Sequence, residues 1–184
     1  MILNFIFSNL NAIVLILRIL LVVLITIRYY RPLWVKDISF AKIALIVASF
    51  NIFIGAFITW GQYHVWKLSD ATGTYIKMPY FAHYAWTNFW MSIAISFALS
   101  ILLFVLFKAY SRYRGGFMEK GAELLLALML TVSYPGILVL MMVGFAFAVL
   151  NSVYSHLRGN KFIHIESSFI WTAYIAILFA HVII

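Results

Sequence analysis

Long apolar runs alternate with short polar segments along the whole chain. The runs fall at about 5–27, 42–60, 86–107, 124–154 and 168–184. A bilayer has a hydrocarbon core of about 30 Å and takes roughly 20 apolar residues per helical span. Five transmembrane helices are therefore expected, forming an all-α, polytopic membrane bundle in a single domain, 1–184.

One run does not fit that arithmetic. Residues 124–154 read LLLALMLTVSYPGILVLMMVGFAFAVLNSVY without a charge. As one helix they would reach about 45 Å, too long for an upright span and too short for two spans and a turn. Pro135 removes a backbone donor one third of the way along. Two arrangements follow, a single kinked and tilted crossing or a re-entrant hairpin. Loop charge is the test applied to them. Lys and Arg number four in 28–42, two in 61–85, four in 108–123 and two in 155–167. With a single crossing the two richer loops share a side, and the positive-inside rule sets the N-terminus outside and the C-terminus inside. That bias selects the kinked crossing as the expectation; a hairpin would move the C-terminus outside.

Three runs carry small or weakly polar residues every fourth position, which puts them on one helical face. They are Ser92, Ser96 and Ser100 (with Asn88), then Gly144, Ala148 and Ser152, then Ser168, Thr172, Ala176 and Ala180. Such faces allow close helix–helix approach. A lone five-helix bundle has no evident need of so many. Residues 61–85, rich in aromatics and turn formers, are expected to form an ordered loop against the outer membrane surface.

Composition agrees with the pattern: 66% of residues are hydrophobic, 10% charged and 18% aromatic, and mean hydropathy is +1.05. A soluble domain carries about 25% charged residues. The net charge of +8 sits mostly in short loops. There it orients the chain and meets anionic lipids, so nucleic acid is not an expected partner. Arg28, Arg31, Arg112 and Arg114 are the candidate lipid-phosphate contacts. The chain has no cysteine, which excludes disulfides and thiolate chemistry. No basic n-region or small-residue cleavage site marks the N-terminus, so the first helix is expected to be an uncleaved insertion signal. Heavy use of Ile, Phe, Tyr and Asn matches AT-rich genomes or organelle genes; a bacterial plasma (inner) membrane or an organelle inner membrane is the expected location.

Candidate chemistry is sparse. Arg18 stands in the middle of the first span, on one face with Asn4, Ser8 and Asn11. A charge there costs about 2.5–3.5 kcal/mol on insertion scales, so this face should meet protein or water. It would either bond neighbouring carbonyls or contact an anion in a cavity. With Asn51 and the break at Tyr134, Pro135 and Gly136 it forms the candidate substrate pathway, since broken helices mark sites in transporters. The alternative for the break is a plain kink.

The five acids all lie in loops or at span ends, which disfavours a self-sufficient ion-coupled transporter. Asp37 with Glu119 or Glu123 is the only conceivable catalytic pair, in the manner of an intramembrane acid protease. Such enzymes use a GxGD motif, whereas Gly115-Gly116-Phe117-Met118-Glu119 lacks both the second glycine in place and the aspartate. Glu119 and Glu123 fit better as helix N-terminal charges. His64 and His83 flank Asp70, but no metal-binding spacing follows, and neither metal nor cofactor is expected. Three functions remain: a non-catalytic subunit of a larger membrane complex for energy conversion, secretion or transport; a small channel or carrier component; and a degenerate protease-like enzyme. The first is the leading expectation.

Overall fold

The computed structural model describes residues 9–36, 38–68, 73–76, 79–113, 119–158 and 165–183. The apolar runs close into helices because lipid offers no partner to backbone N–H and C=O groups, and a helix satisfies them internally. In chain order these are α1 (Leu10–Tyr30), α2 (Phe40–Leu68), α3 (Tyr80–Tyr113), α4 (Glu119–Val132), α5 (Gly136–Leu157) and α6 (Ile165–Ile183). A π-helical turn, Trp86–Trp90, interrupts α3, and a 3-10 turn, Gly73–Ile76, lies between α2 and α3. The described residues contain no strand. α1, α2, α3 and α5 are each long and apolar enough to cross a membrane, while α4 and α6 are shorter. The chain is an all-α, multi-pass membrane bundle.

Residues 61–85 differ from the expected surface loop. α2 continues to Leu68 and α3 starts at Tyr80, so both ends of that segment are helical. Rings facing one another across the two helices explain the extension. Trp66 lies 4.7 Å from Tyr84 and 5.5 Å from Phe81, and Tyr63 lies 5.4 Å from Phe81. Aromatic pairs at these separations are worth about 0.5–1.5 kcal/mol each, enough to hold a last helical turn. Asp70 of this segment lies outside the described residues.

The 124–154 stretch is the larger departure. It is divided into α4 and α5, with Ser133 between them in the left-handed region at φ 61°. The Ser133 N–H donates to Met129 O at 3.0 Å, closing α4, and its hydroxyl donates to Leu130 O at 3.2 Å. The chain then reverses. Gly121, Ala122 and Leu125 of α4 line one hollow together with Ala148, Val149 and Ser152 of α5. On a single kinked crossing Ala122 and Ala148 would stand about 39 Å apart. Neighbours along α6 give the same direction: Gly121 packs on Glu166, Gly144 on Phe169 and Gly136 on Ala176 and Ala180. α4 thus descends and α5 returns beside it, making a helical hairpin instead of the kinked crossing.

α4 is the axis of the bundle. It has 14 residues, about 21 Å of helix, and cannot cross a core of about 30 Å. Ala122, Leu124, Leu125 and every residue from Ala127 to Val132 are buried, under α1, α2, α3, α5 and α6. A helix apolar on all sides needs such a coat. The small-residue faces are used up within this chain: Ser96, Ser100, Gly144, Ala148, Ser168, Thr172, Ala176 and Ala180 are all buried, with Gly144, Ala176 and Ala180 at the α5–α6 contact. Ser92 and Ser152 are half-buried.

The hairpin also changes the charge map. Thr26 of α1 bonds Tyr174 of α6 at 3.0 Å, near the end where Glu166 meets Gly121 and Tyr110. Arg28, Arg31, Lys36, Lys42, Lys108, Arg112 and Arg158 therefore gather at one end of the bundle, and Lys67 lies at the other. Placing 155–167 with the richer loops sharpens the asymmetry, where a single crossing would have diluted it.

Because the native chain has no cysteine, single cysteines can report this arrangement. Tyr113, Leu157 and Leu68 are 87%, 79% and 86% exposed. A cysteine at 113 and one at 157 should be labelled from the same side of sealed vesicles, and one at 68 from the opposite side. Labelling of 157 together with 68 would restore the kinked crossing.

Candidate functional site

Three chain-distant features meet beneath the hairpin tip. Asn51, 5% exposed, donates from Nδ2 to Leu130 O at 2.9 Å, and Arg18 donates from Nη1 to Val132 O at 3.4 Å. Both acceptors belong to the last turn of α4, whose carbonyls have no partner within the helix. On the third side Ser96 accepts the Tyr134 N–H at 2.7 Å while its hydroxyl donates to Ser92 O at 2.7 Å. α1, α2 and α3 thus each supply one side chain to the break. Arg18 and Asn51 both lie near the middle of their helices, so the tip lies about midway along the bundle.

A hairpin that turns at mid-depth leaves the other half of the bundle thin. There α1, α2, α3 and the end of α6 enclose a cavity of about 400 Å³. Its polar lining is Asn11, Arg18, Asn51, Asn88, Ser92 and His181, among apolar groups such as Val14, Ile54 and Ile58. Asn11, Asn88 and His181 are exposed and mark its mouth, at the end away from the basic cluster. The α3 wall is braced by Trp90, whose Nε1 donates to Thr59 Oγ1 at 3.0 Å. It is also drawn close to α2 at Gly55, where a Cβ would meet Ile93 at 2.7 Å.

Arg18 is the chemically unusual member. Among the described residues it has the one long bond to Val132 O, no carboxylate within ion-pairing distance, and a buried Nε without a partner. The α4 carboxyl end facing it supplies about half a negative charge by its dipole. The guanidinium is thus only partly compensated where lipid and protein screen charge weakly.

The other candidates are scattered. Asp37, Arg114 and the Glu119 side chain lie outside the described residues; Glu123 is half-buried in the first turns of α4. Arg28 donates to Pro32 O at 3.0 Å, Arg31 lies over the Trp34 ring at 6.0 Å, and Arg112 is exposed, all at the basic end. His64 stacks edge-on to Trp60 at 4.7 Å. Among the described residues no three His, Asp or Glu side chains come together as metal ligands.

Sequence periodicity assigned Asn88, Ser92, Ser96 and Ser100 a single packing role. The structure divides that stripe: Asn88 and Ser92 line the cavity, Ser96 holds the hairpin tip and Ser100 is packed away. His181 of the cavity lies inside an apolar run, and no spacing in the sequence links it to the other lining residues. No known protein family, curated protein or solved structure matches this chain.

Proposed function

We propose that the chain is a small carrier or channel component, with the cavity below the hairpin tip as its solute site. One observation carries this: Arg18 and Asn51, which bond the carbonyls at the end of α4 just before the Tyr134-Pro135-Gly136 break, both line one cavity. Half-helix ends and unwound backbone at the midplane are how many transporters build sites. By the positive-inside rule the basic end faces the cytoplasm or its organelle equivalent, so the mouth opens to the opposite side. On this reading Arg28, Arg31 and Arg112, at the basic end, meet anionic lipid headgroups. A bacterial plasma membrane or organelle inner membrane suits this orientation.

The reading as a non-catalytic subunit of a larger complex draws on little soluble mass, the lack of a catalytic signature and surplus small-residue faces. Those faces are consumed inside the bundle and do not by themselves call for a partner. The acid-protease reading gains no pair of carboxylates among the described residues.

The test is solute flux into vesicles reconstituted with the full chain, using glycerol, urea, acetate and inorganic phosphate. The expected result is faster entry of one or more than in empty vesicles, abolished in Ser92→Trp, which fills the cavity from a half-buried position. Vesicles no more permeable than protein-free ones would overturn the proposal.

A further inference from the structure

We infer that the cavity selects an oxyanion, a carboxylate or phosphate group bound by Arg18, on a small ligand with a short apolar part. This deepens the proposed function and rests on it. The geometry supplies the class. A guanidinium has five donors arranged to meet two oxygens at once. Here one donor makes a 3.4 Å bond to Val132 O, beyond the usual N–H···O range of about 2.7–3.2 Å. Among the described residues Nε is buried and unpartnered, and Arg18 lines the cavity. A charge in this position is retained at a cost of several kcal/mol unless something meets it, and the carbonyl end of α4 meets only part of it.

The rest of the lining fits the same ligand. Asn88 donates to Tyr84 O at 2.9 Å and Ser92 to Phe89 O at 3.3 Å, so both are held in place at the wall. Asn11 and His181 are exposed at the mouth. Among the described residues no carboxylate lines the cavity, so none competes with an entering anion. Val14, Ile54 and Ile58 offer an apolar wall for a few methylene groups. A volume of about 400 Å³ lies within the usual span for small-ligand sites, about 300–1,000 Å³.

Calorimetric titration of the full chain in maltoside micelles tests the inference with butyrate, inorganic phosphate and phosphatidylglycerol as probes. Butyrate or phosphate should bind, and butyrate should bind about tenfold or more tightly than the neutral isostere butyramide, as charge-assisted bonds require. Arg18→Gln keeps an amide donor for Val132 O but removes the charge, and should weaken binding by about tenfold or more. Arg18→Lys keeps the charge but not the two-oxygen fork, and should recover only part of it. Binding of phosphatidylglycerol that displaces butyrate would identify a lipid headgroup as a second source of the same oxyanion, and would support the inference. Equal binding of butyrate and butyramide, or no Arg18-dependent binding of any probe, would overturn it. Failure is separable from that of the wider proposal: glycerol flux blocked by Ser92→Trp, without anion binding, would sink the oxyanion and leave the solute site standing.

Discussion

Substituting alanine for Gly136 should destabilise the bundle by about 1–3 kcal/mol, the range for overpacking a filled core. Gly136 opens α5 at the point where α6 crosses the hairpin tip. A Cβ there would lie 2.6 Å from Val132 Cγ1, 2.9 Å from Ala176 O and 3.1 Å from Ala180 Cβ. The Ala176 oxygen decides the outcome, because it is backbone inside a helix and moves only if α6 moves. α6 in turn is held against α1 through the Thr26–Tyr174 bond and buries Phe169, Ile170, Ala173 and Ile177. Gly55 is the control. Its Cβ would meet Ile93 Cδ1 at 2.7 Å, but that atom is the free end of a flexible side chain. Alanine is also better than glycine inside a helix by up to about 1 kcal/mol. Gly55→Ala should therefore be near neutral. Equilibrium unfolding of both variants in mixed micelles measures the difference, and equal losses would show that α6 does not fix the tip.

What could be seen beforehand, and what could not, divides along physical lines. The membrane bundle was visible because apolar run length is set by bilayer thickness, a constraint that acts on sequence directly. The break at Pro135 was visible for the same reason: a missing N–H is a property of one residue. Whether the chain bends or reverses there depends on partners distant in sequence. Asn51 lies 79 positions from Leu130, and Arg18 lies 114 from Val132. Loop charge favours the kinked crossing only while 155–167 counts as a poor loop; Arg158 joins the basic end. Similarly, period-four spacing identified one face of α3 but not the levels along it. Depth decides that Ser92 meets a cavity and Ser96 meets the hairpin tip.

That difference in depth gives opposite expectations for two serines one turn apart. Ser96→Ala should destabilise the protein by about 1–3 kcal/mol, the cost of leaving a buried donor unmade. The Tyr134 N–H has Ser96 Oγ as its partner at 2.7 Å; the chain has left the helix at Ser133, and the Leu130 carbonyl four residues back accepts from Asn51 and Ser133 instead. Hydroxyl bonds between membrane helices average only about 0.6 kcal/mol, because the separated helices find other partners. The tip is expected to exceed that average because Ser96 is 1% exposed and water has no ready access to the freed N–H. Ser100 is also fully buried, but its Oγ has no hydrogen-bond partner among the described residues. Ser100→Ala removes an unsatisfied polar atom without altering shape, and should be neutral or mildly stabilising. Unfolding midpoints of the two variants should therefore move apart, Ser96→Ala below the parent and Ser100→Ala at or above it. Equal shifts would mean that the stripe acts only as a close-packing face and that the hairpin tip is held by Asn51 and Arg18 alone.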